Sequence, residues 1–230
     1  MGNITKIFKR LNEVYVKQRV LLIYLIVQNT ILSLIMLIFA NVIISNGNIN
    51  GELDYSRIRL FYNIAIILLF VIIDLFSPIL LSRSLNDLYR KNIIEHLLSV
   101  RISIRDIVYA VYFRGLSTLL ILLVSAFPII VISFYFGGFG VIKMLRLLII
   151  ILSYAILLSS VCLHISTKFI DENATTIVSY VLGVALTLII LYFLNRLLNS
   201  AFLTFLYAAF CVILALALIS VAKKTTIFSA

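Results

Sequence analysis

Six stretches of the chain are continuously apolar: residues 20–44, 60–81, 116–136, 147–165, 177–194 and 201–222. Each reaches or approaches the roughly 20 helical residues needed to cross a hydrocarbon core about 30 Å thick. A membrane barrel would alternate polar and apolar positions with a period of two, and these runs do not alternate. The pattern therefore predicts an all-α membrane protein with six transmembrane helices forming a single domain over residues 20–230. Ahead of it, Ile4, Ile7, Phe8, Leu11, Val14 and Tyr15 recur at steps of three and four, opposite Lys6, Lys9, Arg10, Glu13 and Lys17. That period predicts an amphipathic interfacial helix within residues 1–19, lying flat on the inner leaflet.

Composition strengthens this picture. Of 230 residues, 63% are hydrophobic and 12% charged, against roughly 45–50% and about 25% in soluble domains, which excludes a water-soluble globule. The net charge of +10 comes from 19 Lys and Arg against 9 Asp and Glu, and its distribution sets an orientation. With the N-terminus inside, fourteen of the basic residues fall in cytoplasmic segments, and only Arg57, Arg59, Lys143, Arg146 and Arg196 fall outside. Both termini are expected in the cytoplasm of a multi-pass cell-membrane protein. Lys143 and Arg146 run against that bias and are expected to snorkel from the outer end of the fourth span to lipid headgroups. The first apolar run follows a basic stretch and lacks an Ala-x-Ala-like cleavage site, so a retained helix is expected.

Catalytic signatures are missing from the sequence. It contains no Gly-x-x-x-x-Gly-Lys phosphate loop, no His-Glu-x-x-His and no Gly-x-Ser-x-Gly, so the chain itself is not expected to be an enzyme. Cys162 and Cys211 sit alone in apolar runs, without metal or redox spacing, and read as small packing residues. His164 lies at the inner end of the fourth span with no clustered ligand, so no metal site is predicted. Nucleic-acid binding has no scaffold in such a chain, and the basic residues point to anionic lipid.

Polar residues inside the spans carry more information. Asp74 is the one acid well inside an apolar run, where a charge costs about 2.5–3.5 kcal/mol at mid-membrane, so it must face protein or water. Pro78 lacks the amide hydrogen that would bond the Asp74 carbonyl, which sets a kink beside the acid. The pair reads either as a gating hinge or cavity lining, or as an interhelical contact between Asp74 and a basic neighbour. Gln28, Asn29, Thr30 and Ser33 form a polar cluster in the first span, with Asn63 in the second and Thr187 in the fifth. They are expected either to hold helices together or to line a passage. Pro128 similarly frees the Val124 carbonyl and reads as a packing kink. Asp171 and Glu172 read as the start of the fifth helix, since acids favour the positive end of the dipole.

The hydrophilic stretch 83–106 is too short for a domain yet strongly patterned. Ile93, Ile94, Leu97 and Leu98 form an apolar stripe flanked by Glu95 and His96; Ser99 follows, and Arg101, Ser103 and Arg105 alternate with Ile102 and Ile104. A short helix with one apolar and one charged side, held between two membrane helices, suits docking into a groove on another protein.

Residues 92–108 of this stretch resemble the first cytoplasmic loop of ABC-2 type (type-two ATP-binding-cassette) permeases, where a Gly-Thr-Leu-Glu element, a Leu-Leu pair and a Pro-x-Ser turn precede the third helix. Glu95, Leu97, Leu98 and Ser103 fall on the matching positions. Asn92, Arg101 and Ala110-Val111 replace the family's Gly, Pro and Gly-Lys. The six spans, cytoplasmic termini and interfacial helix extend the resemblance over nearly the whole chain. It implies a coupling helix in which Ile94, Glu95, His96, Leu97, Leu98, Ser99, Arg101 and Ser103 contact a separate nucleotide-binding ATPase subunit. Leu97 and Leu98 would anchor the contact, and Glu95 and Arg101 would set register. It further implies a second permease subunit, as homodimer or heterodimer, with no cofactor on this chain and ATP and Mg on the partner. Gln28, Asn29, Ser33, Asn63, Asp74, Pro78 and Thr187 become pathway or gating candidates. The expected cargo is amphipathic: peptide, drug or lipid-like, moved outward. The competing readings are a non-transporting membrane sensor or immunity protein, and a secondary carrier built on Asp74.

Overall fold

The computed structural model describes residues 23–35, 37–38, 41, 55–90, 104–136, 140–169 and 171–222, and every regular element among them is an α-helix. In chain order these are α1 (Ile23–Ile35), α2 (Tyr55–Arg90), α3 (Ile104–Phe136), α4 (Val141–Ser166), α5 (Glu172–Asn199) and α6 (Ala201–Ala222). Five of them, α2 to α6, are long and apolar enough to cross a membrane, and the chain is a multi-pass helical protein in that sense. The described part of α1 is shorter than one crossing. The amphipathic helix expected within residues 1–19 and the eight docking positions from Ile94 to Ser103 lie outside the described residues.

The helices outrun the apolar segments that announce them. α2 spans 36 residues where the apolar run is 60–81, and α3 begins at Ile104 rather than 116. Charged residues do not end a helix; they only end its passage through lipid, and Asp106 in the first turn of α3 suits the positive end of its dipole. The hydrophilic stretch 83–106 is accordingly divided, with only 91–103 left between the two helices.

Contacts between side chains fix how the helices run. Asp74 and Ser77 of α2 meet Tyr154 and Cys162 of α4 in the same order, so these two helices are parallel. Along α4, Arg146, then Tyr154, meets Leu198, then Gly183, of α5, so α5 runs the opposite way. α4 occupies the centre and packs against α2, α3, α5 and α6. Its apolar window is 67% buried inside the protein, while those of α5 and α6 are 22% buried, which puts the outer faces of the last two helices toward lipid.

Small residues let α4 take that position. Lipid tails are as apolar as leucine, so helices in a bilayer associate through close packing and hydrogen bonds rather than through hydrophobic burial. Ser153, Ala155, Ser159, Ser160, Cys162 and Ser166 are all buried on α4. The hydroxyls of Ser153, Ser160 and Ser166 donate to carbonyls of their own helix, at 2.6–2.7 Å, and so present little more than a methyl-sized surface to the neighbours. α6 answers with Thr204, Cys211, Ala215, Ile219 and Ala222 on its buried face. Both cysteines are free and buried, and Cys211 packs in this seam.

The helix ends are closed by polar side chains. Asp171 caps α5, its carboxylate accepting from the Asn173 amide at 3.1 Å. At the other end of α5, Ser200 alone separates it from α6, and the terminal carbonyls find donors on both sides: Thr204 donates to Leu197 at 2.6 Å. Arg146, expected to reach for headgroups, instead donates through Nη1 to the Leu198 carbonyl at 2.9 Å. A guanidinium at the negative end of a helix dipole gains there what it would have gained from a phosphate.

α3 approaches α2 closely at Gly115. A Cβ there would lie 2.5 Å from Cδ2 and 2.7 Å from Cγ of Leu81, itself fully buried. Gly115→Val is expected to cost about 1–3 kcal/mol in detergent unfolding measurements, and Leu81→Ala in the same chain should recover part of that loss.

Candidate functional site

Asp74 lies within the apolar part of α2, on the face that also buries Phe70, Ile73, Ser77 and Leu81, and it is 7% exposed. Its carboxylate does not meet a basic residue: among the described residues no lysine, arginine or histidine forms an ion pair with it. Hydroxyl groups take that place. The phenol oxygen of Tyr154, on α4, lies 2.5 Å from Asp74 Oδ1, 2.7 Å from Thr187 Oγ1 and 3.1 Å from the Gly183 carbonyl of α5. Thr187 thereby joins the Asp74 cluster through the phenol. Three oxygens from two helices thus surround the phenol oxygen of a third.

The packing explains why the site closes. Phe70 of α2 holds the Tyr154 ring at 5.3 Å between centroids, fixing the direction of the hydroxyl. Gly183 brings α5 close: a Cβ on it would stand 3.3 Å from Asp74 Oδ1 and 3.5 Å from Leu158 Cδ1. A bonded carboxylate of this kind draws charge-assisted hydrogen bonds, the strong class of such contacts. They replace the water that the bilayer removes.

A second polar layer lies further along the same helices. Ser77 donates to the Cys162 sulfur at 3.7 Å, and Ser179 of α5 is fully buried. Beside it, Tyr180 of α5 donates to the Leu75 carbonyl at 3.2 Å. This bond falls where Pro78 interrupts the α2 ladder, so α5 supplies a donor at the point where α2 is weakened. Thr175, Ser179, Gly183 and Thr187 recur at intervals of four and are all buried, so one stripe of α5 is small or polar throughout.

Of the residues singled out from sequence, Asp74, Pro78 and Thr187 come together here. The others do not. Gln28 is buried, but its Nε2 donates to the Leu122 carbonyl at 2.9 Å and so ties α1 to α3. Asn29 and Ser33 line, with Leu25, Ile26 and Thr30, an open groove of about 460 Å³ on α1. Asn63 is exposed. Sequence reasoning passed over Tyr154, Gly183, Ser77 and Ser179, and read Cys162 as a packing residue alone. Two signals pointed to them: a tyrosine deep in an apolar run, whose hydroxyl needs a partner, and the four-residue spacing of small polar residues on α5.

No known protein family, curated protein or solved structure matches this chain.

Tyr154→Phe keeps the ring and removes the phenol, leaving Asp74 with one hydroxyl donor fewer. An expected loss of about 1–3 kcal/mol in detergent unfolding follows from stranding a buried acceptor. In an Asp74→Asn background the same substitution should cost less, because the charge it served is gone; equal costs in both backgrounds would show that the two side chains are not coupled.

Proposed function

We propose that this chain is the membrane-spanning permease subunit of an ATP-binding-cassette transporter, working as an exporter of amphipathic cargo with ATP hydrolysed by a separate subunit. One observation supports the reading most: α2 does not stop where its apolar stretch stops. It continues for nine residues from Leu81 to Arg90, about 13 Å at the helical rise, and leads directly into the patterned segment 91–103. A stiff rod that passes through the bilayer and ends in an amphipathic docking sequence is a lever. A closing ATPase that grips residues 94–103 would tilt α2 and, through their packing, α3 and α4.

The polar contacts within the bundle suit such a lever. α2 is held to α4 and α5 by buried apolar side chains such as Phe70 and Ile73 together with a few directional bonds around Pro78, and those bonds are discrete places to yield. In this reading a second permease completes the passage, as a homodimer or a related pair.

Replacing Leu97 and Leu98 together by Asp should remove a co-purifying ATPase while leaving the chain folded and inserted. The measurement is the ATPase activity and subunit content of the complex drawn from native membranes, with circular dichroism as the control for folding. A chain that yields no ATPase even with both leucines intact would instead support the sensor or immunity reading, and gradient-driven transport without ATP would support a carrier.

A further inference from the structure

We propose that Asp74 is a reversible proton-binding site, and that taking up a proton turns the Tyr154 hydroxyl from the Asp74 carboxylate to the Gly183 carbonyl. The proposal does not use the ATPase partner, so it stands or falls separately from the permease reading.

The argument starts from a count of protons. The Tyr154 hydroxyl carries one hydrogen, yet it lies within bonding distance of two acceptors on different helices, Asp74 Oδ1 at 2.5 Å and the Gly183 carbonyl at 3.1 Å. While Asp74 is a carboxylate it takes that hydrogen, being the stronger acceptor, and Thr187 donates into the same cluster. A protonated Asp74 becomes a donor, and the phenol oxygen at 2.5 Å is the acceptor in place for it. The phenol's own hydrogen then has the Gly183 carbonyl to go to. One proton enters from water, one hydrogen bond reverses and one transfers; no other bond forms or breaks. The atoms of both states already stand in position, so the change needs a rotation of one hydroxyl.

The surroundings fit a proton. The titratable groups facing Asp74 are Tyr154 and Cys162 from α4 and, one turn along, Tyr180 from α5. Around them, α1 brings Tyr24 against Phe76, α6 brings Tyr207 beside Tyr154, and α3 carries Tyr112 and Arg114 on its buried face, the Tyr112 hydroxyl donating to the Ile156 carbonyl. Among the described residues this buried carboxyl faces hydroxyl groups and no fixed countercharge, so binding and release of a proton can set its charge. Next to the cluster Ser77 donates to Cys162, and buried Ser179 and Thr175 follow at four-residue steps along α5 toward exposed Asp171 and, at the turn between α4 and α5, exposed Lys168. Hydroxyl and thiol groups both donate and accept, so polar side chains stand between the cluster and that turn. The switch acts beside Pro78, where the bond between α2 and α4 reverses and one between α4 and α5 is gained.

The full chain in lipid nanodiscs would be followed by infrared difference spectroscopy while the pH is stepped between about 4 and about 9, the range over which a perturbed carboxyl titrates. The expected result is a protonated-carboxyl stretch typical of an apolar environment that fades as pH rises and is lost in Asp74→Asn. Tyr154→Phe should keep the band and displace its midpoint by about 1 pH unit or more, because the phenol is the group that exchanges with the proton. Should Asp74→Asn fail to fold, carbon-13 aspartate in the unaltered chain must shift the band, which assigns it to an aspartate, and Asp74 is the buried one among the described residues. A band indifferent to both the substitution and the isotope, or no titrating band anywhere in that range, overturns the proposal.

Discussion

One carboxylate in the middle of α2 constrains the rest of the bundle. In a bilayer Asp74 cannot be left to lipid, and no basic side chain among the described residues neutralises it. The fold answers with hydroxyls: Tyr154 from α4 and Thr187 from α5, drawn in until four oxygens meet. This requires α2, α4 and α5 to come together at one height. A glycine at position 183 eases the approach of α5, and Phe70 packs against the ring that carries the phenol. The register of three helices is therefore set by one charged residue that could not be satisfied by any two of them.

Close packing carries what that site does not. Without a hydrophobic drive inside lipid, α4 reaches the centre because its serines fold their hydroxyls onto their own backbone and behave as small residues. Gly115 lets α3 rest on Leu81, and the Thr204–Cys211–Ala215 face lets α6 lie along α4. The same economy holds at the helix ends, where Arg146 and Thr204 supply donors to the carbonyls that α5 leaves open. Stability in this protein is distributed over many close approaches, and directional polar bonds are concentrated in a few places where motion would have to break them.

Those few places lie around Pro78. The proline removes one bond of the α2 ladder, Tyr180 donates to the carbonyl of Leu75, and the Asp74 cluster sits just before it. Mechanical weakness and polar attachment thus coincide within one turn of the helix that projects beyond the lipid toward residues 91–103. A lever hinged at that height and a proton site at the same height would share the same three helices, so force from one end of α2 and charge at its middle would act on the same contacts.

The amino-acid sequence determined the apolar lengths, and with them the helical membrane class, because a chain in lipid has no other way to satisfy its backbone over runs of about 20 residues. It also marked Asp74, Pro78 and Thr187 as exceptional, since polar groups and prolines are conspicuous where everything else is aliphatic. It could not name their partner. Tyr154 is 80 residues from Asp74, and although a phenol deep in an apolar run needs a partner, nothing local says which one it takes. Gln28 shows the same limit from the other side: it read as kin to Thr187 and lies instead against α3. Which polar groups meet depends on the rotation and height of each helix. Those are settled by small-residue contacts between helices distant in sequence, and only the folded bundle displays them.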